Sequence, residues 1–190
     1  MSAGALACAG VLAVPSSARA DVYVRVEGPR FEPEQAAQYP LEVEPHFTFG
    51  PGNVYGDAGF GAGVRVGIPL VGGHIGSVPD NLALSLGGDI VHYANCYFTG
   101  DCSANYVMIP VAAQWNLFVA RRVSVFGEGG LYVYKGWFPG CAPGDVGCSA
   151  PSDLGVLPTL AIGGRLHLAE SAALTLRLGY PTTTIGVSFM

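Results

Sequence analysis

The sequence predicts an all-β fold: an up-and-down antiparallel barrel of eight strands that crosses a membrane. Three observations predict it. Half of the 190 residues are hydrophobic and only 12% are charged, against about 25% in soluble domains. Yet no apolar run approaches the roughly 18 residues of a spanning helix. From residue 43 onward the hydrophobic period is two, the period of a strand. The phase opposite the apolar one is mostly Gly, Ala, Ser and Thr with a few ions, which suits a crowded interior better than a water-washed surface. The hydrophobic content excludes a disordered chain, and a net charge of −5 gives no footprint for nucleic acid.

Residues 1–20, MSAGALACAGVLAVPSSARA, are small and apolar and end in Ala18-Arg19-Ala20. This A-x-A pattern predicts a cleaved signal peptide and a mature chain starting at Asp21. No Lys or Arg precedes the apolar run, and Cys8 leaves with the peptide. Residues 21–42 hold five acids and three prolines, which predicts an extended polar leader. The barrel then occupies residues 43–190.

Strands are expected at 43–50, 59–70, 82–93, 105–119, 122–135, 155–168, 172–180 and 182–189. The clearest is 105–119, where Val107, Ile109, Val111, Ala113, Trp115, Leu117 and Val119 share one face. Most are near the 9–11 residues or so of a tilted membrane strand. Counting upward from residue 43, the outer connections are 51–58, 94–104, 136–154 and 181–183. The inner ones are 71–81, 120–121 and 169–171. Short inner turns and longer outer loops are the habit of bacterial barrels, and 71–81 is longer than that habit expects. Tyr93, Tyr106, Trp137, Phe138 and Tyr180 fall toward the outer rim, and Trp115, Phe118 and Phe189 toward the inner one, as two aromatic girdles.

Arg65, Asp89, Glu128, Arg165 and Arg177 all lie on the phase opposite the apolar one. A soluble barrel would turn that phase to water and populate it with Lys and Glu. An outer-membrane barrel turns it inward, and eight strands leave an interior just wide enough for side chains. The five ions are therefore expected to pair across the lumen as a closed ionic plug, since an isolated buried charge is very costly. A gated proton or ion path is the alternative reading, with His46 and His167 adding pH sensitivity. Lys135 departs from the phase at a strand end, where its stem can reach the interface.

Cys96, Cys102, Cys141 and Cys148 sit among turn-forming residues in two close pairs. An exported chain meets an oxidising compartment, which predicts disulfides. Three connectivities are open, and proximity favours Cys96–Cys102 with Cys141–Cys148. Zinc is disfavoured, because its paired cysteines are usually closer. No cofactor motif is present. Gly59-Phe60-Gly61-Ala62-Gly63 lacks the strand–loop–helix setting of a nucleotide fingerprint. The loop acids Asp57, Asp101, Asp145 and Asp153 are too scattered for a calcium loop.

The final strand TTTIGVSFM ends in alternating Ile185, Val187 and Phe189. With the signal peptide and the eight alternating strands, the chain resembles the small OmpA/OmpX-like outer-membrane barrels over residues 43–190. The resemblance implies an address in the cell outer membrane of a Gram-negative bacterium, outer-membrane lipids as surroundings, and recognition of Ile185, Val187 and Phe189 by the barrel-assembly machinery. Met190 after the aromatic departs from the pattern. On this reading no peptidoglycan-binding domain follows the last strand. The expected role is non-enzymatic: a wall displaying disulfide-tied loops for surface contact, toward a ligand the sequence does not name. The alternatives are a narrow ion or solute channel, a soluble lipocalin-like barrel, and a lipid-modifying enzyme. His92 near the rim, with Asp101 and Ser103 in the following loop, is the only hint of the last, and it lacks the base and orienting group a nucleophile needs.

Overall fold

A computed structural model describes residues 39–50, 58–94, 103–137 and 154–190. Its strands are β1 (Glu42–Gly50), β2 (Gly59–Ile75), β3 (Val78–Tyr93), β4 (Ala104–Ala120), β5 (Val123–Trp137), β6 (Gly155–Ala169), β7 (Ala172–Tyr180) and β8 (Thr183–Phe189). Each pairs antiparallel with its sequence neighbours, and β8 closes on β1, so the sheet is one closed barrel. The alternation decides which face is which. Phe47, Phe60, Ile90, Leu160 and Ile162 are exposed, while Arg65, Asp89, Glu128, Arg165 and Arg177 are buried. The barrel is apolar outside and polar inside, the reverse of a lipocalin-type wall.

All eight expected strands exist, with two corrections. The inner connection 71–81 is not a loop. β2 and β3 stay paired through a bulge between Pro69 and Val71 down to Ile75↔Val78. The turn is Gly76-Ser77, and Gly76 takes a φ of 62°, a left-handed conformation that glycine tolerates best. All three inner turns, at 76–77, 121–122 and 170–171, are thus two residues long. The alternating pattern faded in 71–77 because both faces of this hairpin are exposed there. The second correction concerns the girdles. Trp137, Tyr180, Trp115 and Phe189 do face outward, but Tyr93, Tyr106 and Phe118 are buried inside the barrel. Phe138 lies outside the described residues.

The wall is uneven. β2 to β6 run 15–17 residues, whereas β1 and β7 have 9 and β8 has 7. Prolines mark where the short side stops. Met190 donates its N–H to the Ser171 carbonyl. Alternation counted from that bond through β8 and β1 turns the backbone groups of Gly67, and then of Pro69, toward β1. The residue that would oppose Pro69 is Pro40. Neither has an N–H, so the ladder ends at Glu42↔Gly67. On the far side, β7 stops opposite Leu160, and β6 continues upward beyond it. The His167 N–H to Arg122 carbonyl bond sets the alternation there, and it turns Pro158 toward the open side. A proline removes a donor from such an edge and protects it against stray pairing.

Candidate functional site

The inward phase of all eight strands converges on one polar layer. Arg177 on β7 is its hub. Its Nη1 and Nη2 donate to Glu44 Oε1 and Oε2 at 2.7 and 3.2 Å, and its Nε donates to Glu128 Oε2 at 3.1 Å. Nη1 also reaches Thr184 Oγ1 on β8 at 3.1 Å. Arg65 on β2 donates to the other oxygen of Glu128 and to the Tyr132 hydroxyl. Glu128 on β5 therefore holds one arginine on each carboxylate oxygen. Forked, charge-assisted bonds of this kind are what allow ions to stay in a dry interior.

Arg165 on β6 lies toward the inner mouth and is not paired with Asp89 or Glu128. It forks onto Glu42, with Nε–Oε1 and Nη2–Oε2 both 2.9 Å, and donates from Nη1 to Asn116 Oδ1 at 2.7 Å. With its amide assigned oxygen toward Arg165 Nη2 (2.6 Å) and nitrogen toward Glu128 Oε2 (3.2 Å), the orientation in which both ends find partners, Gln114 links the two clusters. The guanidinium carbons of Arg165 and Arg177 lie 4.5 and 5.0 Å from the centroid of the Phe126 ring, cation–π contacts with one aromatic. Gly163 makes this possible, because a Cβ there would fall 2.1 Å from the ring.

Asp89 on β3 belongs to a third group. Its Oδ1 lies 2.5 Å from His46 Nε2 and accepts from Thr48 Oγ1 at 3.3 Å. Arg65 Nη2 is 3.9 Å from its Oδ2, too long for a hydrogen bond. His46 Nδ1 is 3.1 Å from the Glu44 carbonyl oxygen. Gly63 opens the space for this pair, since a Cβ would sit 2.1 Å from Asp89 Oδ1.

The five expected ions all lie inside, in three groups: Arg65, Glu128 and Arg177 share one, Arg165 pairs with Glu42, and Asp89 pairs with His46. Sequence reading missed the carboxylates of Glu42 and Glu44. Their signal was present: Glu44, His46 and Thr48 alternate with Pro45 and Phe47. Glu42 was assigned to the leader, yet it opens β1. Phe126 was invisible, because an aromatic on the polar phase has no periodic signature.

Above the ions, on the loop side, the lumen becomes aromatic. Val91, Tyr93, Ala104, Tyr106, Met108 and Tyr132 form a buried cluster, with Tyr134 and Leu157 packed against it. Tyr93 and Tyr106 meet edge-on at 5.7 Å. Tyr132 joins the layers, accepting from Arg65 and lying 3.1 Å from Thr182 Oγ1. Below the ions, Tyr39 crosses the inner mouth and donates its hydroxyl to the Glu170 carbonyl. Burial, then the Glu170 carboxylate, push that phenol above its ordinary range. The space beneath Tyr39 measures about 20 Å³ and that within the ion layer about 10 Å³, each room for about one water.

The four cysteines and Asp101 lie outside the described residues. Ile185 and Phe189 face outward and Val187 is half-buried on the same face. His92 faces outward with Asn105 Oδ1 2.8 Å from its Nδ1. Among the described residues no group of His, Cys, Asp and Glu could hold a metal ion.

No protein-family model and no curated protein matches the sequence. Two solved structures are similar to the chain. One is from work titled "De novo design of transmembrane beta-barrels", with 12% identity, a TM-score of 0.45, and coverage of 80% of this chain and 97% of that one. The other is Ail, the attachment invasion locus protein of Yersinia pestis, with 10% identity, a TM-score of 0.47, and coverage of 78% and 96%.

Proposed function

We propose that this chain is a non-enzymatic integral outer-membrane barrel, closed to solutes, that holds its outer loops at the cell surface for contact or binding. The observation that carries the reading is the inversion of the wall: exposed apolar side chains ring the outside while the charged ones are buried inside. In lipid every backbone group must be satisfied internally, and a closed barrel does so. The ion layer supports closure, because it draws on every strand, and two spaces that it lines among the described residues measure about 20 and 10 Å³. Outer-membrane lipid would cover the outside. The outward stripe of Ile185, Val187 and Phe189 would present itself to the assembly machinery. The loop partner is of unstated chemistry, and Cys96–Cys102 with Cys141–Cys148 would tie the loops that meet it.

The test is fractionation of the mature chain with a heat-modifiability gel. The protein should partition with the outer membrane, require detergent, and migrate differently before and after boiling. A detergent-free, monodisperse periplasmic monomer would overturn the reading.

A further inference from the structure

We propose that His46 is the fourth cation of the lumen: it shares a proton with Asp89, and that charge completes the balance that keeps the plug closed. The inference rests on the closed-barrel reading. Hydrogen-bond chemistry fixes the proton count. The Glu44 carbonyl oxygen, 3.1 Å from Nδ1, can only accept, so Nδ1 carries a hydrogen. Nε2 and Asp89 Oδ1 are 2.5 Å apart, a separation that requires a second proton between them. The pair therefore holds one proton more than a neutral imidazole and a carboxylate. Thr48 donates to Asp89, and the Arg65 guanidinium lies 3.9 Å away. Both favour the carboxylate, which places the proton on His46.

Charge balance points the same way. The layer contains the carboxylates Glu42, Glu44, Asp89 and Glu128 against the guanidiniums Arg65, Arg165 and Arg177. Four against three leaves one negative charge, and protonated His46 cancels it. Among the described residues, the charged groups around the imidazole are Glu44 on its own strand, with Oε1 3.8 Å from Nδ1, Asp89 on β3, Arg65 on β2 beyond Asp89, and Arg177 on β7 beyond Glu44. β8 contributes no charge, only the close backbone of Gly186. Without the proton, His46 would stand between two carboxylates that no longer have a cation between them.

Two measurements test this. In micelles at neutral pH, 15N-labelled protein should show a directly bonded hydrogen on both His46 ring nitrogens, assigned by the signal missing from His46→Gln. A bare Nε2 would overturn the proposal. This readout does not depend on where the barrel resides or whether it conducts. In planar bilayers at neutral pH, wild-type conductance should be small. His46→Gln should conduct several-fold more. The double variant His46→Gln/Asp89→Asn restores neutrality and should stay closed, with folding checked by heat-modifiable mobility. If the double variant conducts like His46→Gln, charge balance is not the latch. Large wild-type conductance at neutral pH would overturn the closed-barrel reading, while the nitrogen spectrum still reports on the proton.

Discussion

The ion layer and the aromatic layer close the same lumen by different physics. The ion layer receives side chains from β1 through β8 and is held by directional bonds, so each group has a designated partner. The aromatic cluster draws on β3, β4, β5 and β6 alone, the tall part of the wall, and is held by packing. β7 stops opposite Leu160, so less wall stands above it, whereas β1 stops short at its inner end. Tyr93 lays its ring across Gly50 and Gly59, where a Cβ would come within 2.1 and 2.6 Å of it. The contrast implies that damage to the ion layer should alter both stability and conductance. Damage to the aromatic layer should alter stability while the ions below still block passage.

The sharpest break is Glu128→Ala. It strips one partner from Arg65 and one from Arg177 in the same step. Removing one member of a buried pair costs about 3–5 kcal/mol, and the freed guanidiniums would draw water into the lumen. Urea unfolding in detergent should show a loss of that size, and bilayer recordings should show new conductance. A silent variant in both assays would mean that Glu128 holds nothing together.

Met108→Ala is the matching break in the aromatic layer. Met108 is fully buried in the cluster, and truncating such a side chain costs about 2–5 kcal/mol. Its expected signature is lost stability with conductance unchanged. Conductance equal to that of Glu128→Ala would show that the two layers do not act separately. Tyr132→Phe probes the joint between them. It deletes the hydroxyl that accepts from Arg65 and meets Thr182, and a bond to a charged donor contributes about 1.5–3 kcal/mol. The ring remains, so the cluster should stay packed and the loss should fall below that of Met108→Ala.

The two layers also differ in how much of them could be read from sequence. The ions announce themselves, because a charge on the polar phase of an otherwise apolar strand is rare, and Arg65, Asp89, Glu128, Arg165 and Arg177 all lie buried on that phase. Their partners could not be assigned, since register and barrel shear decide which strands meet across the lumen. Glu44 and Arg177 are 133 residues apart in sequence. The aromatic layer misled for a different reason. Tyr93 and Tyr106 lie at strand ends, where an inward tyrosine and a girdle tyrosine have the same composition. Only the phase distinguishes them, and it places both with the ions: Tyr93 is even in step from Asp89, and Tyr106 from Gln114. The 71–81 hairpin was hidden because glycines and a proline there resemble a loop, while pairing between β2 and β3 outlasts the alternation.

Glu42→Ala should have the smallest effect, and it bounds the ion layer from below. Glu42 accepts a fork from Arg165 Nε and Nη2 with two 2.9 Å bonds, as Glu44 accepts one from Arg177 Nη1 and Nη2. The settings differ, however. The Glu42 side chain is 15% exposed, whereas those of Glu44 and Arg177 are each 2% exposed. Arg165 also keeps Asn116, Gln114 and the Phe126 ring when Glu42 is gone. Water at the inner mouth can take over the lost carboxylate, so the desolvation penalty that makes a stranded buried charge costly is largely absent. The expected loss is about 1 kcal/mol, near the upper end for exposed pairs, with conductance unchanged because Glu128 still binds Arg65 and Arg177 above. Urea unfolding of Glu42→Ala beside Glu128→Ala measures the difference directly. Equal losses would mean that the inner mouth is as dry as the middle of the barrel and that the ion layer extends to the very start of β1.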